Sequence, residues 1–108
     1  RCTRSSALRA AFTTSISGYL VASGSIEMYG GASSDAVYCG VKFDAAYDNE
    51  SDRDMDLAAL TLDVCSTDAS MYVSPGQHSV QLFLGGVGAE TMVGSAHLNV
   101  IFVPSFAG

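Results

Sequence analysis

The sequence predicts an all-β chain: an antiparallel β-sandwich of about seven to ten strands with little or no helix. Apolar residues alternate with polar ones in four separated stretches: Leu20, Ala22, Ile26 and Met28; Val37, Cys39, Val41 and Phe43; Val80, Leu82 and Leu84; Leu98, Val100 and Phe102. A period of two buries one side of a strand and wets the other. Turn-forming residues separate the stretches at spacings of about ten residues, which leaves little room for helix. The 108 residues, 48% hydrophobic and 15% charged, suit one ordered domain over 1–108 and are too few for two that each bury a core.

Taken in order, Leu8, Ala10, Phe12 and Ile16 alternate with Arg9, Ala11, Thr13 and Ser15. This predicts that residues 1–17 carry a strand, either a sheet member or an arm that pairs with the open sheet edge of a neighbouring subunit. Tyr19 to Tyr29 reads as a long strand after Gly18, with a bulge or bend expected at Gly24, where side-chain packing is missing. Gly30-Gly31-Ala32-Ser33-Ser34 is a turn by composition, and Ala36 to Phe43 is the next strand. The acidic residues that follow predict a loop. Leu57 to Val64 resumes strand character, although Leu57, Ala58, Ala59 and Leu60 would also suit one turn of helix. Met71, Tyr72 and Val73 form a short strand ended by Ser74-Pro75-Gly76-Gln77, whose proline and glycine fit a type II turn. His78 to Leu84 and Ala96 to Val103 are the clearest strands of the C-terminal half, joined by the glycine-rich Gly85 to Ser95 and stopped by Pro104.

Charge excludes one class of partner. The net charge is -6, and Asp44, Asp48, Glu50, Asp52, Asp54 and Asp56, set against the single Arg53, account for five of those charges. Five Lys+Arg, three of them at Arg1, Arg4 and Arg9, make no basic stripe for nucleic acid. No apolar run approaches the roughly 18–20 residues of a membrane-spanning helix. The chain opens on Arg1 without a charged-then-apolar leader, which fits a removed signal segment or a trimmed chain. Serine, threonine and glycine, more than charge, keep the surface wet; this points to an extracellular or cell-surface setting, with a virion surface as the alternative.

Cys2, Cys39 and Cys65 are an odd set, so in an oxidising compartment one of them pairs outside the chain or stays free. A Cys39–Cys65 bridge would join two strands and close a loop of about 26 residues, worth on the order of 3 kcal/mol. Parity stands against it. Cys39 shares the inward face of Val37 and Val41, whereas Cys65 is out of phase with Leu60, Leu62 and Val64, so the bridge needs a bulge or twist. Cys2 could reach either partner or tie subunits together. Three reduced thiols, two of them buried, are the alternative. No CxxC or HxxxH spacing exists for zinc.

Calcium takes six to eight oxygens, and Asp48, Glu50, Asp52, Asp54 and Asp56 offer carboxylates at every second position, which on an extended chain point one way. These five are the candidate calcium ligands. An EF-hand is excluded, because Arg53 stands where the turn glycine belongs and Ala59 where the bidentate glutamate belongs. The competing reading is a solvated acidic loop that keeps neighbouring subunits soluble or meets a basic partner. Asn49-Glu50-Ser51 is a candidate N-glycosylation triplet.

Catalytic constellations are missing. His78 shares the face of Val80 and Leu82 and His97 that of Asn99, so the two histidines point apart. Gly94-Ser95-Ala96-His97 is no nucleophile elbow, and Gly85-Gly86-Val87-Gly88 lacks the lysine of a phosphate loop. A sandwich of this size leaves little wall for a glycosidase cleft between Glu27, Glu90 and the acidic segment. The expectation is a protein that is not an enzyme and needs no cofactor, calcium aside. Tyr19, Tyr38 and Phe83 fall on the polar faces of their strands and form a candidate ligand surface, although tryptophan, usual in carbohydrate platforms, is absent. Phe83 beside Gln81, and Ile101 beside Asn99, would also suit subunit contact.

Three anchors, Gly18-Tyr19-Leu20-Val21, Val73-Ser74-Pro75-Gly76-Gln77-His78-Ser79-Val80 and Leu98-Asn99-Val100-Ile101-Phe102-Val103, resemble in spacing the jelly-roll modules of the C1q and tumour-necrosis-factor-like kind, and small secreted bacterial sandwiches similar to them. Gln77 departs from that pattern, which usually has an acidic residue after the turn glycine. The resemblance implies a ten-stranded-type jelly roll, frequently trimeric, that binds or assembles and does no chemistry. Two functions are therefore in view: a non-enzymatic extracellular or surface structural protein that self-associates into an oligomer or filament, or a carbohydrate- or receptor-binding adhesion module.

Overall fold

The computed structural model describes residues 8–105 except 87 and 89. Two antiparallel sheets face each other across a buried layer. The first runs β1 (Leu8–Thr14), β7 (Gly76–Gly85), β3 (Asp35–Phe43), with β4 (Ala46–Tyr47) and β5 (Arg53–Leu57) sharing the far edge of β3. The second runs β6 (Leu62–Val73), β2 (Gly18–Tyr29), β8 (Met92–Pro104). The only helical element among the described residues is a single 3-10 turn, Asn49–Ser51, and no helix is long and apolar enough to cross a membrane.

The alternation places the core. Leu20, Ala22, Ile26 and Met28 on β2 meet Val37, Cys39, Val41 and Phe43 on β3 and Val80, Leu82 and Leu84 on β7, all at most 1% exposed. Leu98, Val100 and Phe102 pack against this layer from β8 and stay half-buried, because β8 lies at the edge of the narrower sheet. Gly24 does not carry the expected bulge, which falls between Ile26 and Met28 where β2 meets β8. Its missing side chain instead admits Leu82 from the opposite sheet, whose Cδ1 would lie 2.7 Å from a Cβ at that position.

Two expectations need correction. Leu57 to Val64 is not one strand: Leu57 ends β5 in the core, Leu60 takes a positive φ of 59°, and β6 begins at Leu62. Leu60, Leu62 and Val64 are exposed while Cys65 and Thr67 are buried, so the inward phase of β6 is that of Cys65, not of the leucines. With that phase, Cys39 and Cys65 form a disulfide that joins β3 to β6 across the sandwich without a bulge. The acidic segment is likewise more than a loop. Asp44 (φ 50°) and Ala45 (φ 71°) make a two-residue hairpin turn into β4, the 3-10 turn follows, and β5 then pairs with β3.

Ser51 anchors that segment. Fully buried, its hydroxyl accepts from the Val41 amide at 2.8 Å and donates to the Asp48 carbonyl at 2.6 Å, while its own carbonyl accepts from Thr67. Ser51→Ala strands the Val41 N–H in the interior, at a cost of roughly 1–3 kcal/mol. Chemical denaturation should show the midpoint falling at unchanged slope.

Candidate functional site

Three aromatic rings meet on the outer face of the first sheet. Tyr38 and Phe83 point outward from β3 and β7, and Tyr47 on β4 completes the set, with ring centroids 5.9 Å (Tyr38–Phe83), 5.8 Å (Tyr47–Phe83) and 6.3 Å (Tyr38–Tyr47) apart. Two glycines make this arrangement fit. A Cβ at Gly40 would collide with the Tyr47 ring, and one at Gly85 with the Tyr38 ring, so both rings approach bare backbone, and they meet each other edge to face with planes 82° apart. Lys42 Nζ sits 4.4 Å from the Phe83 centroid, a cation over the ring face.

Carboxylates border the rings. The Tyr47 hydroxyl donates to Asp52, and burial first, then that bond, pushes the phenol well above its ordinary range. Asp54 stands opposite Tyr38 in the β3–β5 register, and the neighbouring Asp52 carboxylate raises its pKa. Beside Tyr38 a groove of about 360 Å³ is lined by Ala36, Val37, Tyr38, Asp54, Met55 and Asp56. That volume is at the small end of ligand sites.

The other predicted site residues are dispersed. Asp48 accepts from the Glu50 amide as the cap of the 3-10 turn, Asp52 serves Tyr47, and Asp54 and Asp56 lie on the outward side of β5. The five carboxylates expected to point one way therefore do not converge, and among the described residues no group of three or more His, Cys, Asp or Glu is placed to hold a metal ion. Asn49 is exposed at the head of the 3-10 turn, but the serine of its triplet is the buried Ser51, which has the structural role given above. Leu8, Ala10 and Phe12 lie in β1, which pairs with β7 of the same chain as an edge strand. Ile16 falls outside the strand and is exposed. Tyr19 is on the opposite outer face, edge-on to Tyr72 at 5.3 Å, and so belongs to a different surface from Tyr38 and Phe83. Cys2 lies outside the described residues.

Tyr47 escaped the sequence reading because a single tyrosine in an acidic stretch has no strand parity of its own. The signal that could have found it is glycine at outward strand positions 40 and 85, each needing an aromatic neighbour to cover bare backbone.

His78 forms a clasp at the other end of the first sheet. Its Nδ1 lies 2.8 Å from Asp44 Oδ2 and its Nε2 2.7 Å from the Ser74 carbonyl, while Asp44 Oδ1 accepts from the Ser79 amide at 2.8 Å. Both ring nitrogens face acceptors, an arrangement that only the protonated imidazole satisfies. The bond to Asp44, then that to Ser74, raises the His78 pKa above 6.5; the bond from His78, then that from Ser79, lowers that of Asp44 below 3.8. A raised histidine contributes stability that is full below its unfolded pKa and lost as pH climbs through the folded one. A lowered aspartate contributes stability present above its unfolded pKa and lost as pH falls through the folded one. Melting temperature against pH should therefore peak between roughly 4 and 6.5, and His78→Ala should flatten the alkaline side of that peak. The half-exposed Asp44 carboxylate keeps the effect modest.

No family model matches the chain, and no curated protein matches it. Two solved structures are similar. One is a Paenibacillus sp. cycloisomaltooligosaccharide glucanotransferase complexed with cycloisomaltoheptaose, at 18% identity and a TM-score of 0.37, covering 83% of this chain. This chain spans 12% of that enzyme. The other is a family 35 carbohydrate binding module from an environmental isolate, at 9% identity and a TM-score of 0.43, covering 92% of this chain and 71% of that one.

Proposed function

We propose that this chain is a non-enzymatic carbohydrate-binding module of the cell exterior, and that the face holding Tyr38, Tyr47 and Phe83 takes a neutral sugar. The observation that carries the proposal is the meeting of three aromatic rings and carboxylates on one outward surface. A pyranose has an apolar C–H face and a rim of hydroxyls; the first suits an aromatic ring, and the second suits carboxylates and amines as acceptors and donors. Tyr38 walls the groove, Asp54 and Asp56 supply acceptors across it, and Lys42 sits over Phe83 on the same face. A neutral glycan is indifferent to the net charge of -6.

The same geometry supports a binding role over hydrolysis. Hydrolysis needs two carboxyl groups on either side of the scissile bond, about 5–9 Å apart. Asp52 instead accepts from the Tyr47 hydroxyl, and Asp54 and Asp56 stand on the same outward side of β5, so these carboxylates do not flank a gap of that kind. The Cys39–Cys65 disulfide supports an oxidising compartment, in keeping with display outside the cytoplasm.

A panel of neutral oligosaccharides titrated by calorimetry tests the proposal. At least one should bind, Tyr38→Ala should weaken it tenfold or more, about 1.4 kcal/mol, and Tyr19→Ala on the opposite face should leave it unchanged. Absence of any binding across the panel, or equal losses in both variants, would overturn it.

A further inference from the structure

We infer that the outer face of the second sheet is covered by the same face of a second copy of this chain, giving a two-fold, face-to-face dimer. Tyr19, Val21, Tyr72, Ile101 and Val103 stand side by side at one end of that face, between 39% and 61% exposed. Tyr29, Leu62, Val64 and Met92 form a second exposed apolar band at the other end. Between them lies a polar trough of about 370 Å³, lined by small and polar side chains that include Ser23, Ser25, Ser66, Asp68, His97 and Asn99. Branched aliphatic side chains have no use for a sugar; they seek another apolar surface.

Three features select a second copy as the occupant. The face reads apolar, polar, apolar along its strands, so a two-fold axis crossing the strands at the trough lays each apolar end on the other. In the observed register that axis sets Tyr19 over Tyr29, Tyr72 over Leu62 and Val103 over Met92 of the second copy at the two ends, with Val21 over Glu27 and Val64 over Ser70 next to the trough. Charge agrees. The axis sets Asp68 over Ser66 and Glu27 over Val21, so neither carboxylate meets a second one, and Arg53 already pairs with Asp68 at 3.4 Å. Most of the net negative charge sits in the 44–56 segment, which belongs to the first sheet. Copies that repel each other elsewhere can therefore approach through this face.

Area is the third. Twelve residues of β2 at about 3.3 Å each, by three strands about 4.8 Å apart, give a face of about 40 by 14 Å. Two such faces bury about 1,100 Å², just above the roughly 1,000 Å² that a biological interface should clear. The dimer leaves both aromatic faces pointing outward on opposite sides. If each takes a sugar, the pair gains avidity on a multivalent glycan, although the dimer itself does not depend on that reading.

Sedimentation velocity on the full chain, on a Cys2→Ser background so that no intermolecular disulfide contributes, tests this. A dimer is expected at about 100 μM, a concentration that reveals even a 10 μM Kd. Ile101→Asp, and separately the milder Ile101→Ser, should shift it to monomer while circular dichroism remains that of the parent, and Tyr38→Ala should leave it whole. A monomeric parent, a species larger than a dimer, or a dimer indifferent to both Ile101 variants would overturn the inference.

Discussion

Replacing Cys39 and Cys65 together with alanine should lower stability by about 3 kcal/mol, and the melting temperature by roughly 10–20 °C. The bridge closes a loop of 26 residues, and opening it returns to the unfolded chain the conformations the cross-link removed. Its position makes it hard to replace. On the inward side β6 offers Asp63, Cys65, Thr67, Ala69, Met71 and Val73, of which only Cys65 and Val73 are buried apolar residues. β2, by comparison, buries Leu20, Ala22, Ile26 and Met28 along the same length. Without the disulfide, β6 keeps its ladder to β2 but loses its main attachment to the first sheet. Scanning calorimetry of the double variant should show one cooperative transition at the lower temperature; a shift of under about 3 °C would mean that the Thr67–Ser51 bond and the Arg53–Asp68 pair hold that edge unaided.

The same strand shows where a sequence reading of parity stops being reliable. For β2, β3 and β7 the inward set is apolar and the outward set mostly polar, so alternation alone placed Val37, Val41, Val80 and Leu82 in the interior. On β6 the pattern inverts: Leu62 and Val64 face out, and Cys65 and Thr67 face in. Apolar residues inside is a one-way rule, and a sheet whose outer face is itself apolar defeats it. The acidic segment failed for a different reason. Alternate carboxylates converge only on an extended chain, and the buried Ser51 hydroxyl, bound to the Val41 amide ten residues back, pulls this one into a 3-10 turn. Such a contact leaves no local pattern. Tyr38 and Phe83 were legible as outward aromatics, but that they meet depends on β3 pairing with β7, a partnership that strand periodicity does not specify.

Gly40→Val and Gly85→Val, made together, should abolish sugar binding while the sandwich stays folded. Both glycines lie on the outward side of their strands, so the added side chains do not enter the core between the sheets. What they meet is the far end of a tyrosine: at Gly40 the hydroxyl and Cζ of Tyr47, at Gly85 those of Tyr38. A tyrosine end can swing away and valine suits a strand, so the fold should survive, less stable by about 1–3 kcal/mol for the two aromatic contacts given up. The rings cannot stay where they are. Tyr47 must leave both Phe83 and Asp52, Tyr38 must leave the wall of the groove beside Asp54, and each aromatic contact given up is worth about 0.5–1.5 kcal/mol. With both tyrosines displaced from the groove and from Phe83, affinity for the oligosaccharide that binds the parent should fall by at least tenfold, to below detection for a weak ligand. Calorimetric titration beside thermal melting separates the two effects. Unchanged binding at unchanged melting temperature would move the sugar off this face; lost binding with a collapsed melting transition would show that these rings hold the sheet together.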